Sequence, residues 1–118
     1  MKYLFIEYPK CTTCQKARKF LTDCGIPFDD RHIVEQRPTI DELRQWHQES
    51  GLPLKRFFNT SGLKYKELGL KDKLPALSED EQLSLLASDG MLVKRPLLIG
   101  EDEVFVGFKP AEWERILK

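Results

Sequence analysis

Cys11 and Cys14 stand three apart in KCTTCQKARKF and are two of only three cysteines in the chain. Two thiols at that spacing can serve as a redox pair, as half of a metal site, or as two small apolar residues that happen to be close. A zinc site needs four ligands, and the remaining candidates, Cys24, His32 and His47, offer no second paired spacing. A redox pair needs one thiol that ionises at cellular pH and a second within its reach. Thr12 and Thr13 lie between the two cysteines and bring hydroxyls and amides that could hold an oxyanion or a mixed disulfide. Lys10 and Lys16 add positive charge on either side.

The elements around the pair decide which chemistry is available. Lys2–Tyr8 alternates and is rich in aromatic and β-branched residues, which predicts a strand ending at Pro9. Ala17, Phe20, Leu21 and Cys24 then recur at helical spacing, with Lys16, Arg18 and Lys19 on the other face. That pattern predicts a helix from about Thr12 to Asp23, stopped at Gly25. Cys11 therefore falls at a helix N-terminus, where unpaired N–H groups and about half a positive charge favour thiolate over thiol. Its pKa is expected below the usual value of about 8.5. Cys14 is one turn further on the same face, less exposed to the helix end, and is expected to be the resolving thiol. Cys24 follows Cys11 by thirteen residues, about 20 Å along a helix. That is too far for a disulfide, and it extends the apolar stripe as a core residue.

IPFDDRHIV reads as a second strand, so the chain opens on a βαβ unit. Thr39 with Glu42, and Ser78 with Glu81, form capping boxes ahead of two helices in the middle of the chain. Between them, KRFFNTSGLKYKELGL reads as short helices broken at Asn59–Gly62. VKRPLLIG and EVFVGF pair as a hairpin across Gly100–Asp102, and Pro110 opens a last helix carrying Trp113, Ile116 and Leu117. The order β-α-β, helices, β-β-α predicts a mixed α/β fold with one small sheet. A βαβ half followed by a ββα half is the thioredoxin-like arrangement. The expected organisation is one domain over 1–118, with a core of 1–36 and 91–118 and a helical insertion over 37–90. His32 and His47 read as surface or strand-end residues. The basic groups at 16–19 and 55–56 read as solvated faces. Arg95 stands apart because it precedes a proline at the start of a strand.

Lysine plus arginine and aspartate plus glutamate each total 19, so net charge is zero. A neutral protein has no overall field for nucleic acid, although a local basic patch stays open. No apolar run approaches the roughly 18 residues of a transmembrane helix. The start, MKYLFIEYPK, lacks signal-peptide architecture. A cytoplasmic monomer without cofactor, metal, membrane or direct nucleic-acid contact is the expectation. In that compartment a CxxC is catalytic, sensory or metal-binding before it is a structural disulfide.

Three segments taken together, YPKCTTCQKARKFL, FFNTSGLKYKELGL and LLASDGMLVKRPLLIGEDEVFVGF, resemble the arsenate reductase/Spx family of thioredoxin-like proteins, and they do so in order along nearly the whole chain. The combination most resembles the short CxxC-containing Gram-positive members. The resemblance implies a thioredoxin-like core with a helical insertion, Cys11 as nucleophile, and Arg95 beside it before a cis Pro96. It implies thioredoxin or glutaredoxin/glutathione as electron donor. Glutaredoxin-linked arsenate reductases carry three arginines around one cysteine. Here Asn59 matches one of those positions, VFVGF covers another, and Arg95 remains. A poor arsenate reductase is therefore expected, with Cys11, Cys14 and Arg95 catalytic and Thr12, Thr13, Asn59 and Pro96 at the substrate. Spx-type regulators share CxxC and the arginine. They bind the C-terminal domain of the α chain of RNA polymerase, the RNA polymerase alpha C-terminal domain, near the position of Gly51. The sequence ends at Ile116-Leu117-Lys118 without their longer basic tail, so redox enzyme ranks ahead of polymerase-binding regulator, with a redox-inert interaction domain third.

Overall fold

Alternation in YLFIE puts Phe5 on one face of a strand and Ile6 on the other. The computed structural model, which describes residues 2–117, builds two apolar layers on that alternation. Strand β1 (Tyr3–Glu7) is central and pairs in parallel with β2 (Phe28–His32). On its other side it pairs antiparallel with β3 (Leu97–Ile99), which pairs antiparallel with β4 (Val104–Val106). The sheet order is β2-β1-β3-β4. The parallel pair is joined by helix α1 (Thr12–Asp23), and β3 and β4 form the expected hairpin.

One face of the sheet buries Phe5, Leu98 and Phe105 against Ala17 and Leu21 of α1 and Trp113 of the last helix. That helix, α6, spans Pro110–Leu117; the side chains of Ile116 and Leu117 lie outside the described residues. The opposite face buries Ile6 and Leu97 beneath the helices that run between β2 and β3. These are α2 (Ile40–Ser50), α3 (Leu63–Glu67), α4 (Leu70–Lys73) and α5 (Glu79–Ser88), with short 3₁₀ turns between them. Both capping boxes form: Thr39 and Ser78 accept the N–H groups of Glu42 and Glu81, and each glutamate accepts the cap residue's own N–H. Gly90 passes so close to Ile33 that a Cβ would lie 2.0 Å from the Ile33 carbonyl oxygen, which draws the end of the helical segment onto the end of β2. Among the described residues no helix is long and apolar enough to cross a membrane.

This is the mixed α/β, thioredoxin-like arrangement that the element order predicts. The second and third strands are shorter than the apolar runs that announced them. Cys24 departs from its expected place: it is the C-cap of α1, half-buried and outside both core clusters, because the helix ends there.

Candidate active site at the start of helix α1

Tyr8, Pro9 and Lys10 form the turn between β1 and α1, closed by the Cys11 N–H donating to the Tyr8 carbonyl at 2.9 Å. Gln15 holds the turn from the helix side through Nε2 to the Pro9 carbonyl at 2.9 Å. Cys11 is the N-cap of α1, in extended conformation, and makes no side-chain cap of its own. The N–H groups of Thr13 and Cys14 and the Cys14 thiol lie on the side of its sulfur and favour the thiolate. Burial opposes ionisation of Cys11, but those donors and the Arg95 charge outweigh it and hold the thiol below its ordinary value. Cys14 is buried, and burial pushes its thiol up to about 12, with the neighbouring Cys11 and Glu7 adding to the shift against a hydrogen bond from Tyr8. The two thiols therefore differ in the sense the helix position predicts. All three cysteines are free thiols in this structure.

Arg95 reaches the site from the far end of the chain. The Arg95–Pro96 peptide is cis, as the resemblance implied. The guanidinium lies over the Tyr8 ring, 5.3 Å from its centroid, and Nη1 touches the Met91 carbonyl only at 3.4 Å. Its Nε is buried without a hydrogen-bond partner among the described residues. Arg95 and Cys11 line one cleft of about 500 Å³.

The helical segment closes the other wall of that cleft. Phe58 bridges Val93, Lys94 donates to the Phe57 carbonyl at 2.7 Å, and Asn59 donates to the Leu92 carbonyl at 2.7 Å. Those bonds bring Arg56 and Asn59 beside Lys94 and Arg95, and all four line the cleft. Past β4 the chain turns at Gly107, whose φ of +79° suits glycine. Its N–H donates to the Pro96 carbonyl at 2.8 Å. The turn places Lys109 in the cleft wall too.

Of the residues expected to meet substrate, Thr13 and Asn59 line the cleft. Thr12 and Pro96 do not: Thr12 is exposed at the start of α1, and buried Pro96 shapes the backbone. Arg95 is the one arginine that matches the family's three, but it is not the one cation of the cleft. Arg56, Lys94 and Lys109 share the cleft with it, and among the described residues no carboxylate lines it. Arg56 is thus a wall of the site, and Arg18 is held in ion pairs with Glu7 and Asp30, so neither belongs to a plain solvated face. His32 ends β2 and accepts the N–H groups of Val34 and Glu35 at Nδ1. Among the described residues no three of His, Cys, Asp and Glu gather as a metal site.

The chain is 55% identical over 114 residues to the uncharacterized protein YusI of Bacillus subtilis (strain 168), covering 97% of each. It is 28% identical over 109 residues to the global transcriptional regulator Spx of Staphylococcus saprophyticus, covering 92% of this chain and 82% of that one. The crystal structure of an ArsC family related protein from Bacteroides fragilis superposes with a TM-score of 0.94 at 56% identity, over 98% of this chain and 97% of that one. Residues 6–116 match the model of the ArsC family, and the chain belongs to that family.

Proposed function

We propose that the protein is a cytoplasmic thiol–disulfide oxidoreductase in which Cys11 attacks and Cys14 resolves. The observation that carries this reading is the opposed character of two thiols on one helical turn, Cys11 pushed down and Cys14 pushed up. The Cys11 thiolate attacks one sulfur of a substrate disulfide and releases the other half as a thiolate. Cys14 then attacks the Cys11 sulfur, the second half leaves with the bonding electrons, and a Cys11–Cys14 disulfide remains. Thioredoxin, or glutaredoxin with glutathione, reduces it back to the dithiol. Arg95 stabilises the attacking thiolate, and Thr13, Asn59 and the cleft cations receive an anionic group on the substrate.

The direct test is oxidation of the dithiol with a mild disulfide, followed by mass mapping and NADPH-coupled reduction. The expected product is a protein lighter by two hydrogens, linked Cys11–Cys14 and reduced again by one of the two donor systems. A chain that stays a dithiol, or links through Cys24, defeats the reading. The Spx relatives support a second reading, a redox-sensing regulator that docks on the C-terminal domain of the polymerase α chain. A pull-down with that domain separates the two; specific retention that depends on the oxidation state would favour the regulator.

A further inference from the structure

We propose that the substrate is a small disulfide whose thiol halves carry phosphate and no ammonium group. The proposal rests on the CxxC reading above and names the class of molecule that the cleft beside Cys11 takes. Four cations, Arg56, Lys94, Arg95 and Lys109, line that cleft together with Cys11. Among the described residues none of the four is held in an ion pair, whereas Arg18, Arg31 and Arg44 each are. Cations gathered without counter-charge repel one another, and a bound polyanion removes that repulsion. Acids stand on the other side of Arg95, where Glu67 and Asp89 line a second groove. Neither lines the cleft that holds Cys11.

The same charge selects by repulsion as well as by attraction. A thiol built on an amino acid, such as cysteine or glutathione, carries an ammonium group with its carboxylates. An ammonium in this cleft would face the four cations and meet no lining carboxylate among the described residues. A lone carboxylate or sulfonate balances a single one of those charges. A phosphate monoester carries more charge, and its oxygens suit the paired donors of Arg56 and Arg95, with the lysines as point charges. The cleft encloses about 500 Å³, room for an organic group rather than an inorganic oxyanion alone. Val106 and Phe108 give it apolar surface, and Phe108 is fixed edge-on against Trp113 with ring centroids 4.8 Å apart. A phosphate-bearing half held there has its sulfur in the same cleft as the Cys11 thiolate. Cys11 attacks that sulfur, the other half leaves as a thiolate with the bonding electrons, and Cys14 then displaces the bound half. The substrate gains two electrons and two protons and departs as two thiols, while Cys11 and Cys14 lose two electrons and join.

The test mixes the reduced full chain with a series of symmetrical disulfides: hydroxyethyl disulfide (neutral), cystamine (cationic), glutathione disulfide (acid and amine), mercaptoethanesulfonate disulfide (anionic) and coenzyme A disulfide (phosphate-bearing). The rate of oxidation of the protein is divided by the rate of the same disulfide with free mercaptoethanol at the same pH and salt. That ratio removes the reactivity of the disulfide itself. For the wild type at low salt, coenzyme A disulfide should exceed the neutral disulfide roughly 10²-fold, and cystamine should fall below it. Raising the salt should shrink the advantage of coenzyme A disulfide. Lys109→Gln and Arg56→Gln, both at exposed positions, should each lower the coenzyme A to hydroxyethyl ratio several-fold. A neutral, sulfonate or glutathione disulfide that reacts as fast as coenzyme A disulfide after this correction overturns the proposal, and that result needs no variant that folds. A preference that neither salt nor the two substitutions reduces also overturns it. A protein that forms no Cys11–Cys14 disulfide with any member of the series would overturn the CxxC reading itself and this proposal with it.

Discussion

Arg95 spends few of its donors on the protein. Its Nε has no partner among the described residues, its contact to Met91 is long, and its guanidinium carbon lies over the Tyr8 ring. That arrangement keeps the charge turned to Cys11, where it lowers the thiol. Replacing it by methionine keeps much of the packing on Tyr8 and removes the charge. Arg95→Met should raise the Cys11 pKa, so alkylation of Cys11 at pH 7 slows several-fold. Arg95→Lys should fall between, since an ammonium keeps the charge but not the planar fit. Identical alkylation profiles for all three would mean that the N–H groups of α1 alone govern the thiol. Cys11 and Cys14 were legible as unequal partners from their places on a helix. Glu7 was not, because at the level of pattern it is simply one more position in an alternating strand. Only the packing of α1 over β1 reveals a buried carboxyl held by Arg18 of that helix.

At the scale of elements, the site depends on two turns and one clasp. Gly107 holds a left-handed turn beside Lys94, and a Cβ there would come within 3.2 Å of the Lys94 side chain. Gly107→Ala should cost about 1–2 kcal/mol in stability and displace the Lys94 wall of the cleft. Thermal unfolding checks the first effect, and a Tm equal to wild type would contradict it. The helical segment is anchored to the sheet by Arg31 of β2, which grips Glu42 with Nη1 and Nη2 at 2.7 and 2.8 Å. That grip holds the Glu42 carboxyl down at about 2, against a smaller effect of burial, with the Thr39 cap helping. A carboxyl whose folded pKa is depressed contributes stability above its unfolded value of about 4.5 and loses it as pH falls toward 2. Arg31→Met should therefore lower the urea midpoint at pH 7 and flatten its decline between about pH 4.5 and 2. A variant with the same acid slope as wild type would place the acid sensitivity elsewhere. Both capping boxes were readable because each is a local motif four residues long. The lengths of β3 and β4 were not, because three-residue strands are set by the neighbour they pair with.

Over the whole molecule, zero net charge hides a sharply uneven distribution. Arg56, Lys94, Arg95 and Lys109 converge on one cleft with no acid among its described lining residues. They come from three stretches of chain that meet only when Phe58 bridges Val93 and the chain turns back at Gly107. No spacing rule links residues 56, 94 and 109, so their meeting in one cleft is visible only in the fold. Four cations can neutralise an oxyanion, yet two of them are lysines, which lack the paired donors of a guanidinium. We expect arsenate-dependent NADPH consumption to be slow in both coupled systems, one with thioredoxin and its reductase, the other with glutaredoxin and glutathione. Saturable turnover at micromolar arsenate that vanishes in Cys11→Ser would reverse that expectation. Everything proposed for the cleft depends on the division of labour between Cys11 and Cys14. The alkylation rate of each thiol across pH, resolved by peptide mass, reads that division without a substrate or a donor. Cys11 should react well below about pH 8.5 while Cys14 stays protected past it. Two thiols titrating together near that ordinary value would contradict the division.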